Sequence, residues 1–197
     1  LEPEVLSYIP PSTPSMFERH LFPLLLRMGE PILGYASDTY WIDIGTPEKY
    51  LKVHHDLLLR KAPSLLSYWG NVNEDVQIGS NSTIHPSAEI EGPVLIGESC
   101  VIAKGAKVKG PTVLGPRCEI AEDAIVGGSV LWHDSKVGKK AVLQHCIVAS
   151  HCYIQEGGQI LDNCVLGDNV IVGENSKLVP GIKVWPDERI KADTVQS

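Results

Sequence analysis

One carboxylate in the first quarter of the sequence stands where it could bind a metal ion. Asp43 lies in the run Tyr40-Trp41-Ile42-Asp43-Ile44, whose β-branched and aromatic residues predict a strand, and Gly45 predicts a turn directly after it. A hard carboxylate at a strand end can bind Mg²⁺ and so align reacting phosphates. Aspartate is also common in turns for local reasons, and the residues around Asp43 taken alone favour that structural role.

Four histidines further along the chain could accept a proton in catalysis. They are His85, His133, His145 and His151. Coenzyme-A-dependent acyl transfer uses a histidine as general base, so these residues make an acyltransferase an alternative function. An exposed surface position is the more common situation for any one of them.

The cysteines favour buried thiols over disulfides or metal ligands. Five cysteines, an odd number, occur without a CxxC pair. Cys100 and Cys118 share a repeat position, so we expect them to stack in the core. His145-Cys146 and His151-Cys152 carry zinc-type ligands, but neighbouring residues of a strand point to opposite faces, and we expect no zinc site there.

The segment up to about Tyr68 predicts mixed helices and strands. Ser15 and Glu18 have capping-box spacing, and the helix they predict would end at Gly29. Ile32–Tyr35 and Tyr40–Ile44 are predicted to form two strands across a turn.

A second helix is predicted directly after Asp43. Thr46 is a good N-cap, Pro47 suits the first helical position, and Glu48 is an acid in the first turn. We expect the helix to reach about Arg60. The residues that would face the body of the protein are Tyr50, Val53, His54, Leu57 and Leu58.

From Ile78 to about Trp185 an aliphatic residue recurs every six positions. The repeat runs from Ile78 to Val126, slips by one residue to continue at Leu131, Val137, Leu143 and Ala149, and slips again to Ile154, giving about nineteen hexads. Such a period predicts a short strand and a tight corner, and three sides close one coil. About six stacked coils are expected, with glycine after the aliphatic residue relieving backbone crowding.

The composition excludes several classes of function. The formal net charge is -7 and no run concentrates Lys and Arg, so we expect no nucleic-acid partner. No segment has the roughly twenty apolar residues that a membrane span needs, and the start does not read as a signal peptide. We therefore expect no membrane partner and a cytoplasmic location.

The motif around Asp43 resembles a known family. Tyr40-Trp41-Ile42-Asp43-Ile44-Gly45-Thr46-Pro47-Glu48-Lys49-Tyr50-Leu51 is similar to a signature of the sugar-phosphate nucleotidyltransferases, especially the GDP-mannose pyrophosphorylase (mannose-1-phosphate guanylyltransferase) type. Leu1–Leu6 resembles the run after that family's central strand, and Ser15–Pro23 resembles its Ser-Ile-Glu-x-x-x-Phe-Pro segment. Many members also carry a C-terminal hexapeptide-repeat β-helix, which is left-handed.

The resemblance implies a fold and a reaction. The fold is mainly β, a left-handed parallel β-helix preceded by a small α/β remnant of a nucleotidyltransferase domain. The reaction transfers a nucleoside monophosphate from a nucleoside triphosphate to a sugar 1-phosphate and releases pyrophosphate. Asp43 corresponds to one of two aspartates that hold Mg²⁺ in the family.

The sequence also departs from the family pattern. It lacks the Gly-rich phosphate loop, the second metal aspartate and the Glu-Lys segment for the sugar phosphate, all of which the family places upstream. We therefore expect residues 1–70 to be the C-terminal part of a truncated catalytic domain, residues 71–197 to be the β-helix domain, and the fragment alone to be inactive. The β-helix is expected to serve oligomerisation or regulation.

Two alternatives to the nucleotidyltransferase stay open. One is the acyltransferase that the histidines suggest, and the other is a purely structural module that joins copies of the chain. For a homo-oligomer built through the β-helix, we expect contact surfaces around Val126–Trp132 and Ile147–Ala149, which carry few charges.

Overall fold

The computed structural model describes residues 2–62 and 75–196. The chain forms two compact units, Leu1–Asp38 and Thr39–Ser197. The predicted domain boundary near residue 70 lies outside the described residues.

The first unit is built from short helices. A 3₁₀ helix spans Pro3–Tyr8, and a π-helix, Phe17–Leu21, leads into the α-helix α1, Phe22–Met28. Gly29 ends α1 with a left-handed φ of 77°, as predicted. The prediction of Ser15 as the cap is wrong. The N-cap is Met16, which makes no side-chain cap, and its backbone N–H donates to Nδ1 of His20, so His20 takes the role predicted for Glu18.

The two strands predicted before α2 are absent from the described structure. Ile32–Tyr35 and Tyr40–Ile44 are extended or irregular, and neither takes part in the three sheets described below. A strand is stable only when a neighbour pairs with it and covers one face. Here Leu33, Tyr35 and Trp41 stay largely exposed. The predicted α/β remnant is therefore helical and irregular.

The helix α2, Pro47–Leu58, begins as the sequence predicts. Thr46 Oγ1 accepts a 3.3 Å hydrogen bond from the backbone N–H of Lys49, which satisfies one of the free donors of the first turn. The helix stops two residues before the predicted end. Its buried residues are Leu51, Val53 and Asp56, of which only Val53 belongs to the predicted inward face.

Residues 75–196 form a parallel β-helix with three faces of seven strands each. Face A contains β1 Val76–Ile78, β4 Val94–Ile96, β7 Thr112–Leu114, β10 Val130–Leu131, β13 Ile147–Val148, β16 Val165–Leu166 and β19 Lys183–Val184. Face B contains β2 Thr83–Ile84, β5 Val101–Ile102, β8 Glu119–Ile120, β11 Lys136–Val137, β14 Tyr153–Ile154, β17 Ile171–Val172 and β20 Arg189–Ile190. Face C contains β3 Glu89–Glu91, β6 Lys107–Lys109, β9 Ile125–Gly127, β12 Val142–Gln144, β15 Gln159–Ile160, β18 Lys177–Leu178 and β21 Val195–Gln196.

The predicted β-helix is confirmed, with seven turns where the hexad count gave about six. The difference lies partly at the C-terminal end, because β20 and β21 continue the coil beyond Trp185. The alternation of inward and outward residues is kept to the last turns, so Ile190 still packs against the core.

Two turns of the β-helix are one residue shorter than the others. Leu114 pairs with Leu131, and Leu131 pairs with Val148, which gives two successive steps of 17 residues where the other turns have 18. The first slip is where the sequence predicts it. The second falls earlier than predicted, because Val148 and not Ala149 takes the core position.

The core is a single column of aliphatic residues and small residues. All five cysteines are buried and free, as predicted, and Cys100 and Cys118 occupy the same position in successive turns.

The glycines that follow the aliphatic residues stand against the next turn. Seven glycines hold this position: Gly79, Gly97, Gly115, Gly127, Gly138, Gly167 and Gly173. A Cβ added at any of them except Gly127 would come within 3.0 Å of an atom of the next turn. The close stacking of turns therefore explains the glycine pattern.

Candidate functional site

Asp43 lies in the irregular segment that leads into α2. Its carboxylate is 67% exposed and its Oδ2 lies 3.8 Å from Nζ of Lys49, which is itself half exposed. An ion pair this open to solvent is weak, so the lysine leaves the carboxylate available to another cation. The strand that was predicted to carry Asp43 does not form, so the residue lies in irregular backbone.

Mg²⁺ requires about six oxygen ligands, several of which are usually water. Asp43 supplies a carboxylate of the right chemistry. It belongs to no cluster of three or more His, Cys, Asp or Glu side chains within residues 2–62 and 75–196. Asp43 can therefore be one ligand of a magnesium site, whose other protein and phosphate oxygens would come from outside the described residues.

The helix α2 joins the Asp43 segment to the β-helix. Leu51 packs on the outer side of face A between Val130 and Ile147, and the three side chains form a buried cluster. At the rim, Trp132 Nε1 donates a 3.1 Å hydrogen bond to the hydroxyl of Tyr50. The low-charge surfaces predicted for oligomer contacts are thus largely covered by α2, because Val130 and Ile147 are buried beneath it.

Two neighbouring histidines of α2 lie at the contact between this helix and the β-helix. His55 Nε2 is 2.9 Å from the carbonyl oxygen of Gly128, and the ring of His54 stands edge-on to Tyr50 at 4.6 Å between centroids. Burial lowers the pKa of both imidazoles below the ordinary value, and their mutual repulsion lowers that of His54 further. Both are therefore held in the neutral form more strongly than in the unfolded chain.

Asp56 fixes the same helix to the residues before it. Its buried carboxylate accepts hydrogen bonds from the Tyr40 hydroxyl at 3.0 Å and from Nζ of Lys52, and Nζ of Lys61 lies 3.3 Å from its other oxygen. Burial alone would raise the pKa of Asp56, but these three donors together hold it below the ordinary value. Tyr40 is thereby tied to α2.

Three of the four candidate histidines have a ring nitrogen within hydrogen-bond distance of a side-chain oxygen. His85 Nδ1 contacts Ser87 Oγ at 2.9 Å, whereas His145 Nδ1 lies 2.9 Å from Asp162 Oδ1. His133 has two partners, because Nδ1 lies 2.7 Å from Asp134 Oδ2 and Nε2 lies 3.0 Å from Ser150 Oγ. Two of the four imidazoles, His133 and His145, are thus oriented by a carboxylate.

Asp134 is the centre of a network that the sequence did not predict. Arg117 donates two hydrogen bonds of 2.7 Å to its two oxygens, and His151 Nδ1 lies 3.9 Å from Oδ2. Arg117 and then His133 hold the pKa of the Asp134 carboxyl well below its usual range. Asp134 follows His133 directly, and that dipeptide is the sequence signal that could have drawn attention to it.

The two members of each His-Cys pair point to opposite sides of the coil wall. Cys146 and Cys152 point into the core, while the side chains of His145 and His151 are more than half exposed. Burial raises the pKa of Cys146 to about 12 and that of Cys152 to about 11, so both are inert thiols at neutral pH.

Among the described helices, none is long and apolar enough to cross a membrane.

Comparison with known proteins identifies the family of the β-helix. The family model described as the EIF2B subunit epsilon LbH domain matches residues 73–178. The chain belongs to this family. LbH denotes a left-handed β-helix, so this match confirms the handedness that the sequence resemblance implied.

Two relatives that match by sequence are nucleotidyltransferases. A mannose-1-phosphate guanylyltransferase of Mycobacterium tuberculosis is 41% identical over 64 residues, which are 32% of this chain and 18% of that protein. A UTP–glucose-1-phosphate uridylyltransferase of Synechocystis sp. is 33% identical over 94 residues, 47% of this chain and 24% of that protein. The chain thus spans less than a quarter of the length of either relative.

Solved structures of acyltransferases align with part of the chain. A UDP-N-acetylglucosamine acyltransferase from Campylobacter jejuni aligns with a TM-score of 0.48 and 19% identity, over 61% of this chain and 62% of that one. This likeness is one of fold alone.

Proposed function

We propose that this EIF2B epsilon LbH-family chain is the C-terminal part of a sugar-1-phosphate nucleotidyltransferase. The observation that carries the proposal is the attachment of the Tyr40–Leu51 segment to face A through Leu51 and the Tyr50–Trp132 hydrogen bond. The nucleotidyltransferase signature and the β-helix therefore form one body. Both curated relatives catalyse reactions of this class, which supports the same assignment.

In the proposed reaction Asp43 is one ligand of Mg²⁺. A bound Mg²⁺ supplies charge neutralisation and alignment of the phosphates. What the described residues contribute is the placement of that carboxylate: Thr46 caps α2, and α2 rests on the β-helix. The nucleotide and the sugar phosphate would be bound by residues outside this chain, so the fragment alone is expected to be inactive.

The test uses the full-length protein and measures pyrophosphate release. GTP with mannose 1-phosphate and UTP with glucose 1-phosphate are the two pairs that the relatives suggest. We expect release with at least one pair, and we expect Asp43→Asn to lower the rate by about a hundredfold or more. The matched control, Glu48→Gln, removes one negative charge five residues away and should leave the rate within about twofold. The absence of release with any sugar 1-phosphate contradicts the function, and an unaffected Asp43→Asn contradicts the metal role.

Acyl transfer is the second candidate function. It is favoured by the carboxylate partners of His133 and His145, because such pairs orient an imidazole for proton transfer. The test follows thiol release from acetyl-coenzyme A in the presence of amino sugars. Thiol release that is lost in His133→Gln or His145→Gln, but kept in His85→Gln, would favour this function over nucleotidyl transfer.

We also propose that the β-helix mediates a homo-oligomer. With face A covered by α2 around Val130 and Ile147, faces B and C present the open surface of the coil. A mass above that of one chain in light scattering of the full-length protein is the expected result. A monomeric mass removes this proposal.

A further inference from the structure

Three side chains that can bind a metal come together at the corner between faces A and B. His133 and Asp134 lie at this corner in the fourth turn, and His151 lies there in the fifth. Their ligand atoms are all within 4.8 Å of one another, and they are the one group of three or more such side chains in the described parts of the chain.

The stacking of successive turns creates this arrangement. Because Leu131 pairs with Val148 and Lys136 with Tyr153, the step across the corner is 17 residues. Asp134 therefore stacks on His151, and both take the same left-handed backbone conformation with φ of 59°.

The distances suit a tetrahedral metal ion. With metal–ligand bonds of about 2.0–2.1 Å, the ligand atoms of a tetrahedral zinc site are about 3.3–3.5 Å apart. The separation from Asp134 Oδ2 is 2.7 Å to Nδ1 of His133 and 3.9 Å to Nδ1 of His151. Side-chain movements of about an ångström would thus complete three vertices of the tetrahedron.

The ligand types and their exposure point to the class of metal. Two imidazoles and one carboxylate suit Zn²⁺ and related transition metals better than Mg²⁺ or Ca²⁺, which prefer oxygen. The side chains of His133, Asp134 and His151 are 45%, 27% and 55% exposed, so water can reach the remaining coordination position.

The residues around the cluster orient its ligands. Ser150 Oγ lies 3.0 Å from Nε2 of His133, which can hold the proton on Nε2 and leave Nδ1 free to bind a metal. Arg117 fixes the plane of the Asp134 carboxylate through two hydrogen bonds. Its positive charge also opposes a bound cation, so the site is expected to bind more weakly than a structural zinc site of four ligands.

We propose that His133, Asp134 and His151 form a binding site for a divalent transition-metal ion, with Zn²⁺ as the best fit. The ion joins the fourth and fifth turns of the β-helix at the corner between faces A and B. The site is independent of Asp43 and of the nucleotidyl transfer proposed above.

The experiment titrates metal-free chain, prepared with a chelator, with ZnCl₂ in a calorimeter and with CoCl₂ in a spectrophotometer. One Zn²⁺ per chain and a visible Co²⁺ absorption typical of tetrahedral nitrogen and oxygen ligands are expected. His133→Ala and His151→Ala should each weaken binding at least tenfold. The matched control is His145→Ala, because His145 pairs with Asp162 in the same way but belongs to no group of three such side chains among the described residues.

The outcomes are decisive in both directions. Thermal unfolding with and without Zn²⁺ should show a higher melting temperature for the wild type and for His145→Ala, and no shift for His151→Ala. Circular dichroism of His133→Ala, His145→Ala and His151→Ala checks that each variant folds. Equal binding by wild type and His151→Ala, or a strong near-ultraviolet thiolate band with Co²⁺, would overturn the proposal, since the latter would locate the metal on cysteine.

Discussion

Trp132 of the β-helix donates a hydrogen bond of 3.1 Å from its indole nitrogen to the hydroxyl of Tyr50 on α2. The two residues are far apart in the sequence, and their contact marks the rim of the apolar seam formed by Leu51, Val130 and Ile147. The seam makes the position of Asp43 depend on the β-helix.

Leu51→Ala should loosen α2 from face A. Leu51 is buried against Val130 and Ile147, so its truncation removes apolar contact and leaves a cavity that costs about 2–3 kcal/mol. Faster hydrogen exchange of α2 amides and a change in Trp132 fluorescence are the measurements. Leu59→Ala, an equal truncation at an exposed position just after α2, is the control and should change neither. Equal exchange in the two variants would show that the seam does not hold the helix.

Acid should weaken the same attachment. The pKa values of His54 and His55 are lowered in the folded protein, so at slightly acidic pH the unfolded segment binds more protons than the folded one. The stabilisation is complete above the ordinary value of 6.5 and is lost as the pH falls below it. The charged groups that bear on His55 are Asp56, Lys52 and His145.

The measurement for this pH effect is hydrogen exchange of α2, corrected for intrinsic rates, between about pH 7 and pH 5. Protection should fall in the wild type. In His54→Gln/His55→Gln the protection should be lower at pH 7, because the contact of His55 with Gly128 is lost, but nearly independent of pH. A wild-type protection that rises on acidification contradicts the assignment.

The sequence predicted the features that depend on local rules. Thr46 and Pro47 set the start of α2 through backbone geometry within one turn, and the hexad repeat reports a core position in every side of the coil. The sequence-based prediction failed where the conformation of a segment depends on contacts with other parts of the chain. Ile32–Tyr35 has strand-forming residues but no sheet to join among the described residues. The predicted Ser15–Glu18 capping box does not form, because the π-helical turn begins after Met16 and brings His20 to the N–H of that residue.

The candidate metal site shows the same limit. His133 and His151 were recognisable as functional residue types, but their meeting with Asp134 depends on which residue the second short turn omits. The repeat pattern tolerated either Val148 or Ala149 at the core position, because both are apolar. A shift of the register by one residue changes which side chains are neighbours at the corner. The packing of the core determines which register forms.

Asp56→Asn should destabilise the Tyr40–α2 connection. At neutral pH we expect a loss of about 1–2 kcal/mol, since the buried carboxylate accepts from Tyr40 and Lys52, while the exposure of both lysines limits their contribution. The pKa of Asp56 is lowered, so its stabilisation is present above the ordinary value of 3.8 and is lost as the pH falls through the folded-state pKa. Urea unfolding of the variant and of Asp123→Asn, an exposed control, should diverge at pH 7 and converge in strong acid.

Gly138→Ala should destabilise the β-helix, whereas Gly127→Ala should not. A Cβ at Gly138 would lie 2.7 Å from the backbone carbon of Gln155 in the next turn, and backbone cannot move aside without separating two turns. Overpacking of this kind costs about 1–3 kcal/mol. At Gly127 the nearest atom is Cβ of Lys109 at 3.8 Å, an ordinary contact, and the smaller freedom of the unfolded chain should stabilise this variant by up to about 1 kcal/mol. Denaturant unfolding followed by circular dichroism measures both. Equal destabilisation at the two positions would mean that the glycines serve the bend itself and not the stacking of the turns.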